Sequence, residues 1–443
     1  MGAIHEQSTA SAQYCFLPYH HPPAMARLLA HLSLATLLTL PAFAGDWPQF
    51  RGPHGDGKSA EAEAPLEWGP EKNVVWRTAL PTPANSCPII SNGRVFVTSA
   101  AEEGKKRSLL CFDRKNGDLL WTRTVTIDEV MPTHKTNPYC GSTPVANGKC
   151  VIVWHGTAGL FSYDFDGNEL WSKKHGEFRH IWGYASSPII HDKKVILHAG
   201  PGKRVFLTAL DLESGKTLWE TDEPVKGDGS YNEKKKYIGS WSTPVIAQVD
   251  GNDQIICAMS TRVNGYNPVD GKIIWSCDGL IGKKGELAYS SPVLAGDLCV
   301  QIGGFNGPEI GFKIGGKGNI TDKQRLWRNS KSPQSIGSGV YVNGHIFIPD
   351  ADRGAIRCID PKTGKNTWSE KTGGPNFWGS IVMAAGRLYV TNQEGETIVF
   401  APNPEQFEKL AANDLAEASN ATPSFSNGQV FIRTREALYC IGE

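Results

Sequence analysis

The 443-residue chain balances 45 Lys and Arg against 45 Asp and Glu, so it carries no one-signed field of the kind a nucleic-acid or anionic-membrane binder shows. Its 48 Gly, 28 Pro and 13 Trp describe many turns and many large apolar side chains, the composition of a turn-rich β protein with a substantial core. Two or three domains would be ordinary for this length, yet all-β barrels and propellers often exceed that scale as one unit.

In chain order, residues 1–24 precede Met25, which opens MARLLAHLSLATLLTLPAFAG: one Arg, an apolar run, then Ala42-Phe43-Ala44. That is the layout of a signal peptide over 25–44, with Met25 as initiator and 1–24 as a mis-assigned start. The run is too short to span a bilayer comfortably. Gly45, not Cys, follows the cleavage pattern, which argues against a lipid anchor. The mature chain is therefore expected in the periplasm, the cell envelope or the medium, without a membrane span. Loss of Cys15 leaves nine cysteines, with no CxxC, CxxCH or vicinal pair to support a metal ribbon, thioredoxin chemistry or haem attachment.

Residues 45–72 read as an N-terminal extension. Within it Gly52–Ser59 fits GxxxxGK[ST], but no buried strand precedes it and an Ala/Glu/Pro-rich stretch follows, so a phosphate-binding loop is not expected.

From 73 to 443 the chain repeats one phrase. LLCFDRKNGDLLW (109–121) returns as GLFSYDFDGNELW (159–171), FLTALDLESGKTLW (206–219), VNGYNPVDGKIIW (263–275) and GAIRCIDPKTGKNTW (354–368). Gly stands four residues before Trp in every copy: Gly117/Trp121, Gly167/Trp171, Gly215/Trp219, Gly271/Trp275 and Gly364/Trp368. Asp113, Asp164, Asp211 and Asp360 are placed to bond backbone amides just beyond them, and Gly to take the positive φ that closes the turn. Trp is large enough to cover the gap to a neighbouring sheet. Trp327 ends a degenerate copy lacking the Gly, and Phe407 falls near the outer position of a later one.

Ahead of each phrase stands a small residue, usually Ser or Thr and often before Pro, leading into an apolar run: SCPII (86–90), STPVA (142–146), SSPII (186–190), STPVI (242–246), SSPVL (290–294), SGVYV (338–342), SIVMA (380–384) and TPSFS (422–426). Four-stranded units at this spacing predict an all-β, eight-bladed propeller of antiparallel blades, with seven blades as the alternative. The last unit lacks an outer strand. NVVWRTAL (73–80), whose Trp76 has no blade before it, is expected to supply it and close the ring.

The Asp-x-x-[Thr/Asn/Ser]-Gly-x-x-x-Trp phrase resembles the repeat of pyrroloquinoline-quinone (PQQ)-type propellers, the quinoprotein alcohol dehydrogenase-like superfamily, over essentially all of 73–443. DWPQFRGPHGDG (46–57) is similar to the start of small exported members. The resemblance implies one of two activities. A scaffold of the BamB kind would bind envelope proteins or glycans as a monomer without cofactor. A quinoprotein dehydrogenase would oxidise an alcohol or sugar using PQQ and Ca²⁺ held by carboxylate and amide oxygens, with a catalytic Asp. No Asp matches such a residue, and turn formation explains the repeated ones, so no catalytic or metal-ligating residue is assigned.

Function is expected where the repeats differ, in the connections gathered at one channel mouth. The blade-to-blade connections offer His134, Tyr139, Arg179, His180, Trp182, Tyr184, Tyr237, Trp241, Tyr289 and Trp378. The connections inside blades add Arg262, Asn264, Asp352 and Arg353. Aromatics beside cations suit a ligand or peptide surface. The Trp set Trp76, Trp121, Trp171, Trp219, Trp275, Trp327 and Trp368 is expected to be structural. His155 and His198 have no ligand-like spacing. Cys111, Cys358 and Cys440 occupy equivalent third-strand positions, while Cys87 and Cys140 start adjacent units and form the one disulfide pairing worth weighing.

Overall fold

The structure, a computed structural model, describes residues 45–225 and 237–442. The expected early start and signal peptide lie outside the described residues, as does 232–236 of one mouth connection.

Eight four-stranded antiparallel sheets follow one another as blades. In blade 1 Ile89–Ser91, Arg94–Ala101, Lys106–Asp113 and Leu119–Thr126 pair in chain order from the channel outward. Blades 2 to 7 occupy 145–173, 189–222, 245–278, 293–329, 340–371 and 382–414. Blade 8 (424–441) takes its outer strand from the other end of the chain: Val74–Ala79 pairs antiparallel with Ala437–Ile441. The seam is thus a normal β ladder and leaves no free edge there. Middle strands such as Cys150–Trp154 and Leu298–Ile302 are buried throughout, because both faces meet neighbouring blades. Outer strands such as Thr217–Asp222 alternate.

The repeated phrase binds blades to each other more than it binds one blade internally. Asp113 Oδ1 accepts the Lys115 amide at 2.7 Å, Gly117 has φ +74°, and the Gly117 amide returns to the Asp113 carbonyl. The ring lying against this glycine is Trp76, from the preceding blade. Its Nε1 donates to the Arg114 carbonyl at 3.0 Å. The same link runs from Trp121 to Phe165, Trp171 to Leu212, Trp219 to Pro268, Trp327 to Pro361 and Trp368 to Asn403. Each of these Trp rings therefore covers the next blade's turn, and at Gly117, Gly167, Gly215, Gly271 and Gly364 the missing side chain lets the ring approach.

Two places depart from the rule. Blade 5 has no glycine turn, and Trp275 before it folds back into its own blade, fully buried over Gly265 with Nε1 on Gln254 Oε1 at 2.7 Å. The strand Gly318–Asn319 then adds parallel to Ile273–Asp278 as a fifth strand. In blade 7 the outer register position holds Ala411, not Phe407. Phe407 lies before the strand and packs on Trp368 and Phe400. Trp68 of the N-terminal extension packs against this part of the core, stacked on Tyr389.

A second link encircles the channel. The small residue before each inner strand accepts the backbone N–H of its counterpart in the preceding blade: Cys87 to Thr143, Thr143 to Ser187, Ser187 to Thr243, Ser291 to Ser338, Ser338 to Ser380 and Ser380 to Thr422, all between 2.9 and 3.0 Å. At the seam the Thr422 amide closes the circle onto Cys87 Sγ at 3.2 Å. Between blades 4 and 5 the connections themselves pair instead, Tyr237–Ser240 parallel with Gly285–Ala288.

Residues 46–66 cross the far end of the channel. Trp47 exchanges both backbone bonds with Ile90, Pro48 O accepts from Ala146 in blade 2, and Arg51 donates to the Gly339 carbonyl of blade 6, on the opposite side. The segment continues over blade 7 through Gly57 and Ser59 bonded to Met383. The GPHGDGKS stretch is bends and turns within this plug, with no helix after it.

A Cβ on Gly271 would meet the Trp219 ring at 2.4 Å and sit at φ +72°. Gly271→Ala should cost about 1–3 kcal/mol in urea denaturation, whereas Lys272→Ala, beside it and exposed, should move stability by less than about 0.5 kcal/mol.

Candidate ligand-binding site at the channel mouth

The mouth opens into a cavity of about 380 Å³, at the small end of the range for ligand pockets. Its walls at depth are the channel girdle: Cys87, Thr143, Ser187, Thr243, Ser291, Ser380 and Thr422. Phe50, carried by the plug, closes it from below. The cavity is blind.

Five residues expected at the mouth line it: His134, Trp182, Trp241, Tyr289 and Trp378. Trp182 is the hub of one wall. Its ring lies 5.7 Å from Trp241, 5.2 Å from Phe305 and 4.9 Å from Tyr237. Trp241 Nε1 donates to Gly183 O at 2.9 Å, which fixes that ring, and Tyr289 stands 5.4 Å from it. Phe305 and Asn306 are consecutive non-glycine residues with φ near +53°, a backbone state that costs energy and holds the Phe305 ring against Trp182.

The other wall is made of amides. Asn85 Nδ2 and Asn420 Nδ2 both donate to Thr136 O, at 2.8 and 3.0 Å, and Asn137 Nδ2 donates to Trp182 O at 2.8 Å. Asn85 also bonds Asn137 Oδ1 and accepts from Asn420, each at 3.4 Å. The connections into blades 8, 1 and 2 are stitched together by this network. His134 Nδ1 pairs with Thr136 Oγ1 at 2.7 Å on its rim.

The remaining expected residues lie off the cavity lining, and their positions follow from better partners. Tyr139 and Tyr184 sandwich the buried Arg107 guanidinium, Tyr184 itself packing on Trp154. Arg179 points outward to Glu129 at 2.6 Å and Glu177 at 3.7 Å. His180 is buried behind the aromatic wall, 4.8 Å from the Trp241 ring and bonded to Ile238 O. Tyr237 backs Trp182 without entering the lining. Arg262 pairs with buried Glu223 at 3.1 Å and Asn264 Nδ2 donates to the same carboxylate at 3.5 Å, so both tie blade 4 to the end of blade 3, while Asn264 also donates to Tyr266 Oη within its own strand. Asp352 and Arg353 form a loose surface pair at 4.0 Å. Sequence reasoning missed Phe305, although GGFNGP (303–308) is a within-blade connection of the type that supplied Arg262. It also missed Phe50, which lies outside the repeat, and the amides, which look like loop residues.

The donor set was tested against PQQ with Ca²⁺. Among the described residues the lining contains no Asp, Glu, Lys or Arg, and no cluster of three or more His, Cys, Asp or Glu is placed to hold a metal. A calcium ion would find no carboxylate and a tricarboxylate no counter-charge, so these residues do not fit that group. The nine cysteines from Cys87 to Cys440 are all buried and free, Cys87 and Cys140 included. Burial raises the Cys87 and Cys140 thiols above their usual range.

The family profile described as outer membrane protein assembly factor BamB matches residues 68–138 and 105–370. The chain belongs to this family. An assembly factor BamB of Burkholderia pseudomallei (strain K96243) is 29% identical over 144 residues, 32% of this chain and 34% of its own length. The alignment thus spans about a third of that relative. In fold, the family chain is similar to the quinohemoprotein alcohol dehydrogenase of Comamonas testosteroni, at a TM-score of 0.67, 14% identity, 91% of this chain and 81% of that one. A europium-containing methanol dehydrogenase aligns at 0.65 and 12% identity, over 90% and 98%. At such identities the likeness concerns the propeller, not the chemistry.

His155 and His198 are fully buried in different blades, far from ligand geometry. Burial, then the nearby Arg107 charge, holds His155 down to about 3, and burial holds His198 down to about 4. The unfolded chain protonates both near the ordinary ~6.5 and so binds more protons below it. Stability should therefore fall as pH drops from 6.5 toward 4. Asp350 acts oppositely. Burial, outweighing the opposing charge of Arg357, pushes its carboxyl up to about 6, so its protonated form favours the folded state and that contribution is lost as pH rises through 6. Asp350 is common to wild type and a His155→Gln/His198→Gln variant, and their Tm difference should shrink from pH 7 to pH 4.5 in calorimetry.

Proposed function

We propose that this protein is an exported, non-catalytic binding propeller of the cell envelope that captures its partner, a protein or a glycan, at the channel mouth. The observation that carries this reading is the blind cavity with rigid aromatics on one wall and bonded amides on the other, with no Asp, Glu, Lys or Arg and no metal-binding cluster among its described lining residues, and with His134, bonded to Thr136 Oγ1, as its one imidazole. Such a surface gives shape and hydrogen-bond recognition, and its single imidazole has no carboxylate partner among the described lining residues for acid–base work. Membership of the BamB family supports an envelope role, and the apolar segment at 25–44 supports export.

The competing reading, a PQQ-dependent alcohol or sugar dehydrogenase, draws only on the shared fold. Incubation with PQQ and Ca²⁺ followed by dialysis should leave no cofactor absorbance and no dye-coupled alcohol oxidation. Retained cofactor with turnover would overturn the proposal. In pull-downs from envelope extract, Trp182→Ala and Trp378→Ala should weaken capture at least about fivefold with Tm little changed. Undiminished capture by both would move the binding surface elsewhere.

A further inference from the structure

Three properties of the cavity restrict what it can hold. The first is charge: the chain carries 90 formal charges, yet none of the described lining residues is Asp, Glu, Lys or Arg. Anionic headgroups, phosphates and peptide termini would be desolvated there without a partner, which is costly.

The second is the hydrogen bonding left over. Asn85, Asn137 and Asn420 use both amide hydrogens within the protein, and each carbonyl oxygen accepts one bond, from Asn420, Asn85 and Gln393 respectively. One lone pair on each remains. This wall can only accept. Deeper in, Thr143, Ser187, Ser380 and Thr422 spend acceptor capacity on the girdle and keep an O–H to donate. The ligand must therefore carry several groups that both donate and accept while staying neutral. Hydroxyls do that.

The third is the opposite wall, where Trp182 and Phe305 present apolar aromatic surface that rewards a flat C–H face, while Trp378 adds a further ring to the lining from the connection into blade 7. A pyranose ring has one such face and a girdle of hydroxyls at its edge. Phe50 below prevents a chain from threading through, so what enters is an end.

Resting on the binding reading above, we infer that the mouth cavity takes the neutral terminal sugar of a linear glycan. A peptide entering by its end must bring a charged terminus, and that finds no counter-charge among the described lining residues.

The test is an array of linear oligosaccharides, neutral, uronic-acid-bearing and sulfated, followed by tryptophan-fluorescence titration with the best neutral probe. Neutral termini should be retained and their charged counterparts should bind at least about tenfold more weakly. Trp378→Ala should lose about tenfold in affinity, equivalent to about 1.4 kcal/mol. Phe305→Gly, which removes a ring and relieves a positive φ, should lose at least about threefold without lowering Tm. Preference for charged sugars would overturn the inference, as would equal binding by cyclic glucans that have no end. Acetylated, amidated tripeptides form a parallel arm. If they bind at the mouth and no saccharide does, the sugar inference falls while the binding reading stands. If neither class binds and both Trp variants still capture envelope partners, both readings fall.

Discussion

The structure depends on the circle of backbone amides and small side-chain acceptors around the channel. Eight blades packed by greasy faces alone could slide or tilt, because apolar contact is non-directional. A hydrogen bond from an inner-strand start to the side chain of the next blade, made at every junction but that of blades 4 and 5, is directional, and it fixes both the spacing of the blades and the width of the channel. Any one of these bonds contributes only about 0.5–1.5 kcal/mol, but each joins a different pair of blades, so their effect is to set a common geometry. Ser and Thr suit the position because they are small enough to sit eight around an axis and can accept while retaining a hydrogen. Cys87 replaces them once, at the seam, where its thiol takes the Thr422 amide as a weaker acceptor. The same atoms that fix the width make the cavity wall polar.

The outer circle works by a different principle. Trp76, Trp121, Trp171, Trp219, Trp327 and Trp368 each bring a large ring and one N–H to the turn of the following blade. Where that turn keeps the phrase, its Asp (Asn267 in blade 4) fixes its shape and its Gly leaves room for the ring, whereas the blade 7 turn has neither and meets Trp368 through Asn403. An inner ladder of polar bonds and an outer ladder of docked rings therefore hold every blade at two radii, and rotation of a blade about its long axis is opposed by both.

Most of this was legible in the sequence because it is repeated. Fixed Gly-to-Trp spacing, hydroxyl-Pro starts and the orphan strand at 73–80 identify the propeller, its blade number and its closure. The direction of the Trp–Gly contact was not legible, since spacing within one hairpin cannot reveal that its glycine serves the previous blade's ring. The site was half legible. Aromatic residues in unrepeated connections pointed to Trp182, Trp241, Tyr289 and Trp378. The cations chosen with them found carboxylates or aromatic faces elsewhere: Arg179 on Glu129, Arg262 on Glu223. A charged side chain near a mouth has many possible partners within reach, and only the fold says which is nearest. Phe50 could not be found by any repeat argument, because it reaches the cavity on a segment that belongs to no blade.

Apart from Ala411 in blade 7 and Cys87 at the seam, the main irregularities of the ring lie in one sector. Trp275 folded inward, the fifth strand at Gly318–Asn319, the parallel pair replacing the girdle bond between blades 4 and 5, and the left-handed backbone at Phe305 all fall in blades 4 and 5 or their connections. The aromatic wall stands on this same side, while the amide wall stands on the regular connections into blades 8, 1 and 2. Strain and broken repetition persist in a fold when surrounding structure tolerates them, and they gather where a surface has been shaped for something other than stability. In a propeller every blade could present the same connection to the mouth, and a symmetric ring would then offer a symmetric hole. Relaxing the rule over one quarter of the ring is what converts that hole into a cavity with two different faces, and a cavity with two faces can orient what it holds.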